Sequence, residues 1–362
     1  RVADRLRLAS RGGGIYRLAD RLLAFELTDA ETVEDTLAGL RAVMLQPIEV
    51  AARRVDVAIT IGVADGAGTT ADACMTNAAL AAEDAAQGGV FWRQTVADMA
   101  VLERRISLMG ELDDALANGQ IEVHYQPKLA LATNRIASVE ALVRWRHPDR
   151  GFIGPDNFIP LAEQTGRVAP LTLFVLERVL EDLASWQRIG LDLTAAVNIS
   201  AKLVTSASFN ADVRRLLARG IVPTERLIFE VTESATLADP QAAVAALVAL
   251  RDLGIAISMD DYGTGQSTLT YLRTLPLSEL KIDRSFVQHA HRNRNDGVMV
   301  RSTIDLAHDL GLKVVAEGIE EVECLDFLRT VGCDMAQGYH ISRPVPAAAL
   351  VALLGKELAI AA

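Results

Sequence analysis

The sequence predicts an α/β chain. Its larger part, residues 119–362, reads as a closed (β/α)8, TIM-like barrel with an antiparallel first strand, and a small α/β unit precedes it. Three observations carry this. About eight strand-like runs recur after residue 119, separated mostly by helix-length segments, the count of a closed barrel. The first two runs are linked only by residues 130–135, whereas a parallel crossover needs about a dozen residues or more, so the first strand must oppose the second. Acids and amides collect at the strand ends, where barrel enzymes place their chemistry.

In chain order, Tyr16-Arg17-Leu18 and residues 22–27 read as strands meeting at the polar turn Ala19-Asp20-Arg21, and a helix pattern follows over 31–44. Residues 55–63 (VDVAITIGV) alternate apolar and polar and predict one strand. Residues 69–87 are Ala-rich and helical, with Gly88-Gly89 as the stop. Gly12-Gly13-Gly14 lacks the Gly-Lys-Ser/Thr of a phosphate loop and reads as a turn. This layout resembles the later half of a GGDEF (diguanylate cyclase) domain, with Thr60-Ile61-Gly62 where that family has Ser-Ile-Gly. Ala19-Asp20-Arg21-Leu22-Leu23 replaces the signature hairpin, so both glycines and the acid in fourth place are missing, as is the family's earlier nucleotide-binding segment. Residues 1–95 are therefore expected to be a truncated, degenerate domain that regulates or packs rather than cyclises. Residues 96–118 form an amphipathic helix pattern ending at Gly119, taken as the connector.

The barrel runs are residues 122–129, 136–145, 193–199, 227–231, 256–261, 280–283, 314–317 and 335–341. Helical patterns over 171–188, 213–219, 241–253 and 297–310 lie between the later ones.

The fifth run ends in Asp260-Asp261 followed by a Gly-Thr-Gly loop. Two adjacent acids repel, and burying both calls for a cation, yet Asp and Gly are also ordinary turn residues. That pair alone fits a metal site or an Asx-type turn. The other runs tilt the balance. Glu140 lies in the second, Asn198 ends the third, Glu230 the fourth, Lys281 and Asp283 belong to the sixth, Glu317 to the seventh and Gln337 to the eighth. Carboxylates and amides at one barrel mouth, without His or Cys, suit the hard cations Mg²⁺ or Mn²⁺. Two such ions about 3.5–4 Å apart are a standard device for phosphodiester hydrolysis. Lys281 would hold the nucleophile or neutralise charge, or simply pair with Asp260 or Asp261.

Tyr125-Gln126-Pro127, Glu140-Ala141-Leu142-Val143-Arg144-Trp145, Asn198-Ile199-Ser200, Glu230-Val231-Thr232-Glu233, Asp260 to Gly265, Leu280-Lys281-Ile282-Asp283, Ala316-Glu317-Gly318 and Gln337-Gly338-Tyr339 carry a resemblance to the EAL domain, the bacterial cyclic di-GMP phosphodiesterase. It spans about residues 108–348. The resemblance implies that Glu140, Asn198, Glu230 and Asp260 bind a first ion, and that Asp260, Asp261 and Glu317 serve a second, with Glu317 as a base. It implies that Lys281 orients the water, that Gln126, Arg144, Asp283 and Gln337 hold the ligand, and that Glu233 braces the 260–265 loop. The implied product is linear pGpG and the implied assembly a homodimer through this domain. Tyr262, Gln266 and Thr268 depart from common loop residues without removing a ligand.

Lys+Arg 36 against Asp+Glu 47 gives a net charge of 36 − 47 = −11, which argues against binding DNA or RNA polymers. Cys74, Cys324 and Cys333 have neither disulfide nor zinc spacing, and a reducing cytoplasm fits. No apolar run is long enough to span a bilayer. The chain opens on Arg1, which reads as part of a longer sensor or membrane-anchored protein. His308-Asp309 lacks the histidine cluster of HD-type phosphohydrolases, and residues 289–297 read as a solvated loop. Trp145 fits a guanine pocket or the core. Three function classes stay open: a hydrolase, a silent cyclic di-GMP receptor and a scaffold.

Overall fold

The computed structural model describes residues 15–19, 22–26, 33–44, 48–50, 53–55, 59–66, 70–87, 90–95, 99–232, 240–263 and 272–360. It divides into two compact units, Arg1–Arg104 and Arg105–Ala362.

In the first unit, β1 (Ile15–Ala19) and β2 (Leu22–Phe25) form an antiparallel hairpin, as the sequence predicts. The tip of that hairpin and the Gly12-Gly13-Gly14 and Gly88-Gly89 turns lie outside the described residues. Helix α1 (Val33–Met44) buries Leu37, Leu40 and Met44 against Ile15, Phe25, Ile61 and Trp92. Of the predicted strand over 55–63, residues 56–58 lie outside the described residues and 59–60 belong to no strand. β3 (Ile48–Val50) pairs with β4 (Arg53–Val55), with Val55 opposite Ile48. β5 (Ile61–Ala64) then runs parallel to β6 (Trp92–Thr95), which is too short and polar to show in the sequence pattern. Helix α2 (Ala71–Gln87) lies so close to β5 that a Cβ on Gly62 would sit 1.8 Å from the Ala78 carbonyl oxygen.

Helix α3 (Met99–Ala117) brings Leu108, Met109, Leu112 and Ala115 into the core of the second unit, a helical spacing that marks one face. The barrel strands are β7 (Ile121–Ala130), β8 (Arg135–His147), then β10 (Thr194–Asn198), β11 (Leu227–Thr232), β12 (Ala256–Tyr262), β13 (Glu279–Ile282), β14 (Lys313–Ala316) and β15 (Met335–Gln337). Hydrogen bonding runs β7-β15-β14-β13-β12-β11-β10-β8, and β8 returns to β7, so the sheet closes. β7 is antiparallel to both neighbours, with Tyr125 opposite Ala141 and Ala336 opposite Leu129, while all other barrel pairs are parallel. The short link after β7 turns at Asn134, whose φ of 54° lies in the left-handed region that Asn tolerates. Two short strands that the pattern does not reveal, β9 (Gly151–Ile153) and β16 (Val345–Pro346), extend β8 and β7.

Helices α4 (Pro155–Gln164), α5 (Val168–Arg188), α6 (Ala201–Val204), α7 (Ala207–Leu217), α8 (Pro240–Arg251), α9 (Arg284–Val287), α10 (Arg294–Asp309), α11 (Val322–Thr330) and α12 (Ala347–Ile360) complete the unit. On α5 the residues Leu171, Val175, Leu176, Val179, Leu183 and Trp186 form a buried stripe. Helix α7 starts earlier than its apolar pattern, because the Ser206 hydroxyl caps it by accepting from the Phe209 amide. Helix α10 starts at Arg294 with Asn293 as its cap, so the predicted 289–297 loop holds only up to Asn293. β15 is shorter than the predicted 335–341. After Gln337 the chain hydrogen-bonds around Ile319 instead, with the Ile319 amide on the Gln337 carbonyl and the His340 amide on the Ile319 carbonyl. A Cβ on Gly338 would lie 2.1 Å from that Ile319 oxygen, so the turn needs glycine. Trp145 is core: it is fully buried, edge-on to Phe158, and donates to the Gln120 side chain.

Candidate metal centre

Side chains on a strand alternate faces, so every second residue of a barrel strand points inward. That parity brings Gln126 and Lys128 from β7, Ser138 and Glu140 from β8, Ser258 and Asp260 from β12, and Glu279 and Lys281 from β13 into one interior. β11 contributes Glu230 and β15 contributes Gln337. All of these except Asp260 are buried. Ser258 and Glu279 precede Asp260 and Lys281 on parallel strands and so lie beneath them, giving the interior a floor and a rim.

Lys281 is the hub of the rim. Its Nζ lies 2.7 Å from Glu317, 3.0 Å from Glu230, 3.0 Å from Asp260 and 3.6 Å from Glu140. Glu140 is fixed by two amides: Asn198 Nδ2 donates to Oε1 at 2.8 Å and Gln337 Nε2 to Oε2 at 2.6 Å. Gln337 also donates to Gln126 Oε1 at 3.1 Å, and Gln126 donates to the Ser342 carbonyl at 3.2 Å.

Adjacent residues on a regular strand face opposite ways, yet oxygens of Asp260 and Asp261 lie together. The cause is local. Asp261 has φ 56°, the β12–β13 register shifts between Met259 and Tyr262, and the Asp261 amide donates back to Asp260 Oδ1 at 3.0 Å. The turn reading of this pair holds, and the turn is what aims both carboxylates the same way. Oxygens of Asp260, Asp261 and Glu317 all lie within 4.8 Å of one another.

Electrostatics divide the acids. Burial works against charge on Glu140, but Lys281 and Lys128 nearby and the donated bonds from Gln337 and Asn198 hold its carboxyl down at about 2. Burial and the neighbouring Glu140 push Glu230 up to about 8 despite both lysines. Burial raises Glu317 to about 7, with Asp260 and Glu140 adding to it and Lys281 opposing. Burial, Asp260 and Asp283 raise Asp261. Burial also disfavours the charge on Lys128, but Glu230 and Glu279 more than offset that and hold it protonated.

These residues fit hard divalent cations. The donors are carboxylate and amide oxygens, and three acids share coordination distance. Gln337 Oε1 is buried with no hydrogen-bond partner among the described residues, an oxygen able to accept from or ligate a guest.

Of the residues singled out from sequence, Glu140, Asn198, Glu230, Asp260, Asp261, Lys281, Glu317, Gln126 and Gln337 converge here. Arg144 shares the inward face of β8 with Glu140, is half-buried, and donates to the Val143 carbonyl. Asp283 has a different local role: its Oδ1 accepts from the Ser285 amide at 2.9 Å and caps α9. Glu233 and residues 264–271 lie outside the described residues. The floor pair Lys128 and Glu279 escaped the sequence reading. The signal was there, since each stands two residues from an inward group, Gln126 or Lys281.

A closed barrel whose carboxyl-end rim gathers acids, amides and a lysine is the build of a barrel enzyme. The EAL domain model matches residues 109–344, and the chain belongs to that family. It is 36% identical over 97% of its length to MucR of Pseudomonas aeruginosa, a bifunctional diguanylate cyclase/cyclic di-GMP phosphodiesterase, of which it covers 52%. It is 44% identical over 68% of its length to the cyclic di-GMP phosphodiesterase NbdA of the same organism, covering 32% of that protein. The chain therefore spans about a third to about half of the length of these curated relatives. The c-di-GMP complex of the PaMucR phosphodiesterase superposes with a TM-score of 0.64 at 40% identity, over 67% of this chain and 99% of that one.

Proposed function

We propose that this chain hydrolyses cyclic di-GMP to linear pGpG with two divalent ions, Mg²⁺ or Mn²⁺, held at the rim. The convergence of Glu140, Glu230, Asp260, Asp261 and Glu317 around Lys281 carries the reading. Charge supports the number of ions. With Glu279, six carboxylates face two lysines, and 2 − 6 = −4 is the charge two divalent cations balance.

When bound, such ions acidify a water and clamp phosphoryl oxygens. The chain's own groups do the rest. Glu140, Asn198, Glu230 and Asp260 would hold one ion, and Asp260, Asp261 and Glu317 the other. Lys281 orients the attacking water, and Glu317, whose proton affinity lies near neutrality, takes its proton. A new P–O bond forms to the water oxygen as the bond to the ribose 3′ oxygen breaks, and that oxygen takes a proton from solvent and leaves as a hydroxyl. Arg144 grips phosphate as a fork, with Gln126 and Gln337 on the ligand, Asp283 reaching it through Oδ2 while its Oδ1 caps α9, and Glu233 bracing the loop.

In the same reading, residues 1–95 are a degenerate GGDEF-like regulator, 96–118 the connector and 119–362 a homodimerising barrel working in the cytoplasm. The alignment with MucR over nearly the whole chain supports the first of these. Among the described residues, no helix is long and apolar enough to cross a membrane.

The decisive experiment is incubation with cyclic di-GMP and Mg²⁺ or Mn²⁺, followed by chromatography for pGpG. Metal-dependent pGpG is expected. Binding of the dinucleotide without product in either metal would replace this reading with the silent receptor.

A further inference from the structure

Beneath the rim lies a buried cation that the proposed chemistry does not use. Lys128 has no exposed surface. Burying a lysine is costly unless its charge is paired and its hydrogens are donated. Its Nζ reaches Glu230 Oε1 at 2.7 Å and Glu279 Oε1 at 3.3 Å. The Ser258 hydroxyl donates to that same Glu279 oxygen at 3.0 Å. Around the barrel, β11 and β13 each stand three strands from β7, in opposite directions. Lys128 is thus a strut across the interior, tied to both walls.

The consequence falls on Glu230. Its Oε1 is taken by Lys128 from the floor, and its Oε2 meets Lys281 at 3.0 Å on the rim side. A glutamate free at both oxygens would sample several rotamers; this one is held with a single oxygen facing the rim acids. Groups that orient ligating carboxylates typically change metal affinity by about 10–100-fold when removed.

We propose that Lys128 is a positioning residue for the phosphodiesterase, a floor strut that aims Glu230 at the metal site and is itself seated by Glu279 and Ser258. The inference rests on the metal-centre reading above and deepens it.

The test is Mn²⁺ binding by calorimetry on the full chain without nucleotide, beside steady-state kinetics, for wild type and Lys128→Met. Methionine keeps the length and removes the charge. The variant is expected to bind Mn²⁺ on the order of 10–100-fold more weakly. Its kcat should fall at low metal and recover partly at high metal, with KM for cyclic di-GMP within about twofold. Lys128→Arg, which keeps the charge, should recover part of the affinity. Should Lys128→Met fail to fold, Lys128→Met with Glu279→Gln removes the stranded floor acid and carries the same comparison. Wild-type Mn²⁺ affinity in a folded Lys128→Met or double variant overturns the proposal. Absence of Mn²⁺ binding and turnover in the wild type itself overturns the metal-centre reading instead, so the two failures are distinct.

Discussion

The rim and the floor of the barrel interior are both polar, the floor buried and the rim buried at Glu140, Glu230 and Lys281 and half-buried at Asp260, Asp261 and Glu317, and they differ in whether their charges close. On the floor, Lys128 answers Glu279, Ser258 adds a donor, and Thr194 donates to Ser138 at 2.8 Å. On the rim, Lys281 faces Glu140, Glu230, Asp260 and Glu317, with Asp261 beside them, and Lys128 reaches Glu230 from below, so the acids still outnumber the cations. Burial by itself is therefore no mark of a functional site. A network that satisfies itself is structure, and one that retains an excess of like charge is built to receive something of the opposite sign.

The largest effect should come from the rim. Glu140→Ala removes the acid that two amides and Lys281 jointly orient. Turnover is expected to fall by about a thousandfold or more, the scale seen when a group acting in a catalytic unit is deleted. Circular dichroism should show a folded chain, since the deletion relieves like-charge crowding. Activity within about tenfold of wild type would take Glu140 out of the site and leave rim and floor alike.

A second measurement sharpens the contrast through pH. Glu230 and Glu317 have folded proton affinities raised from an ordinary 4.5 to about 8 and about 7. Each stabilises the metal-free fold fully below about 4.5, and that stability is lost as pH rises through the folded value. Glu140 has the opposite sign: lowered to about 2, its contribution is present above 4.5 and lost only in strong acid. Between pH 5.5 and 8.5 the first two govern. The metal-free rim grows more strained as pH rises, and a divalent ion binds deprotonated ligands. The rise in melting temperature on adding Mn²⁺ should therefore grow from pH 5.5 to 8.5 and flatten in Glu230→Gln. A gain that shrinks with pH would contradict the electrostatics assigned to the rim.

Much of this contrast is legible in sequence, and the illegible part has physical causes. Eight strands, their closure and the reversed first strand follow from run spacing and one short link. Glu140, Glu230, Lys281 and Glu317 stand out because charge in or just past a barrel strand needs a partner. Lys128 does not, because it follows Gln126-Pro127 in a run read for its ligand residues, and only the strand parity of the folded sheet shows where it points. Asp283 shows the reverse: one residue past β13, its Oδ1 turns to the Ser285 amide of α9, a choice fixed by chain direction after the strand rather than by composition. The two ends of the 55–63 run serve different strands, Val55 opposite Ile48 and Ile61 beside Trp92, a pairing fact outside the run itself.

The smallest expected effect probes the floor. Ser258 is fully buried, and its hydroxyl donates to Glu279 Oε1 at 3.0 Å. Ser258→Ala deletes one hydrogen bond and leaves Glu279 its bond from Lys128, so no charge is stranded. The loss should be about 1 kcal/mol, or a drop in melting temperature of about 2–4 °C for a domain of this size. Mn²⁺ affinity should stay within about twofold, because Lys128 keeps its hold on Glu230 Oε1 at 2.7 Å. Calorimetry with Mn²⁺ beside thermal melts reads both quantities in one preparation. A large loss of metal affinity in Ser258→Ala would mean that the floor's satisfaction is itself tuned to the rim, and that the two layers are one cooperative site rather than a support and a receptor.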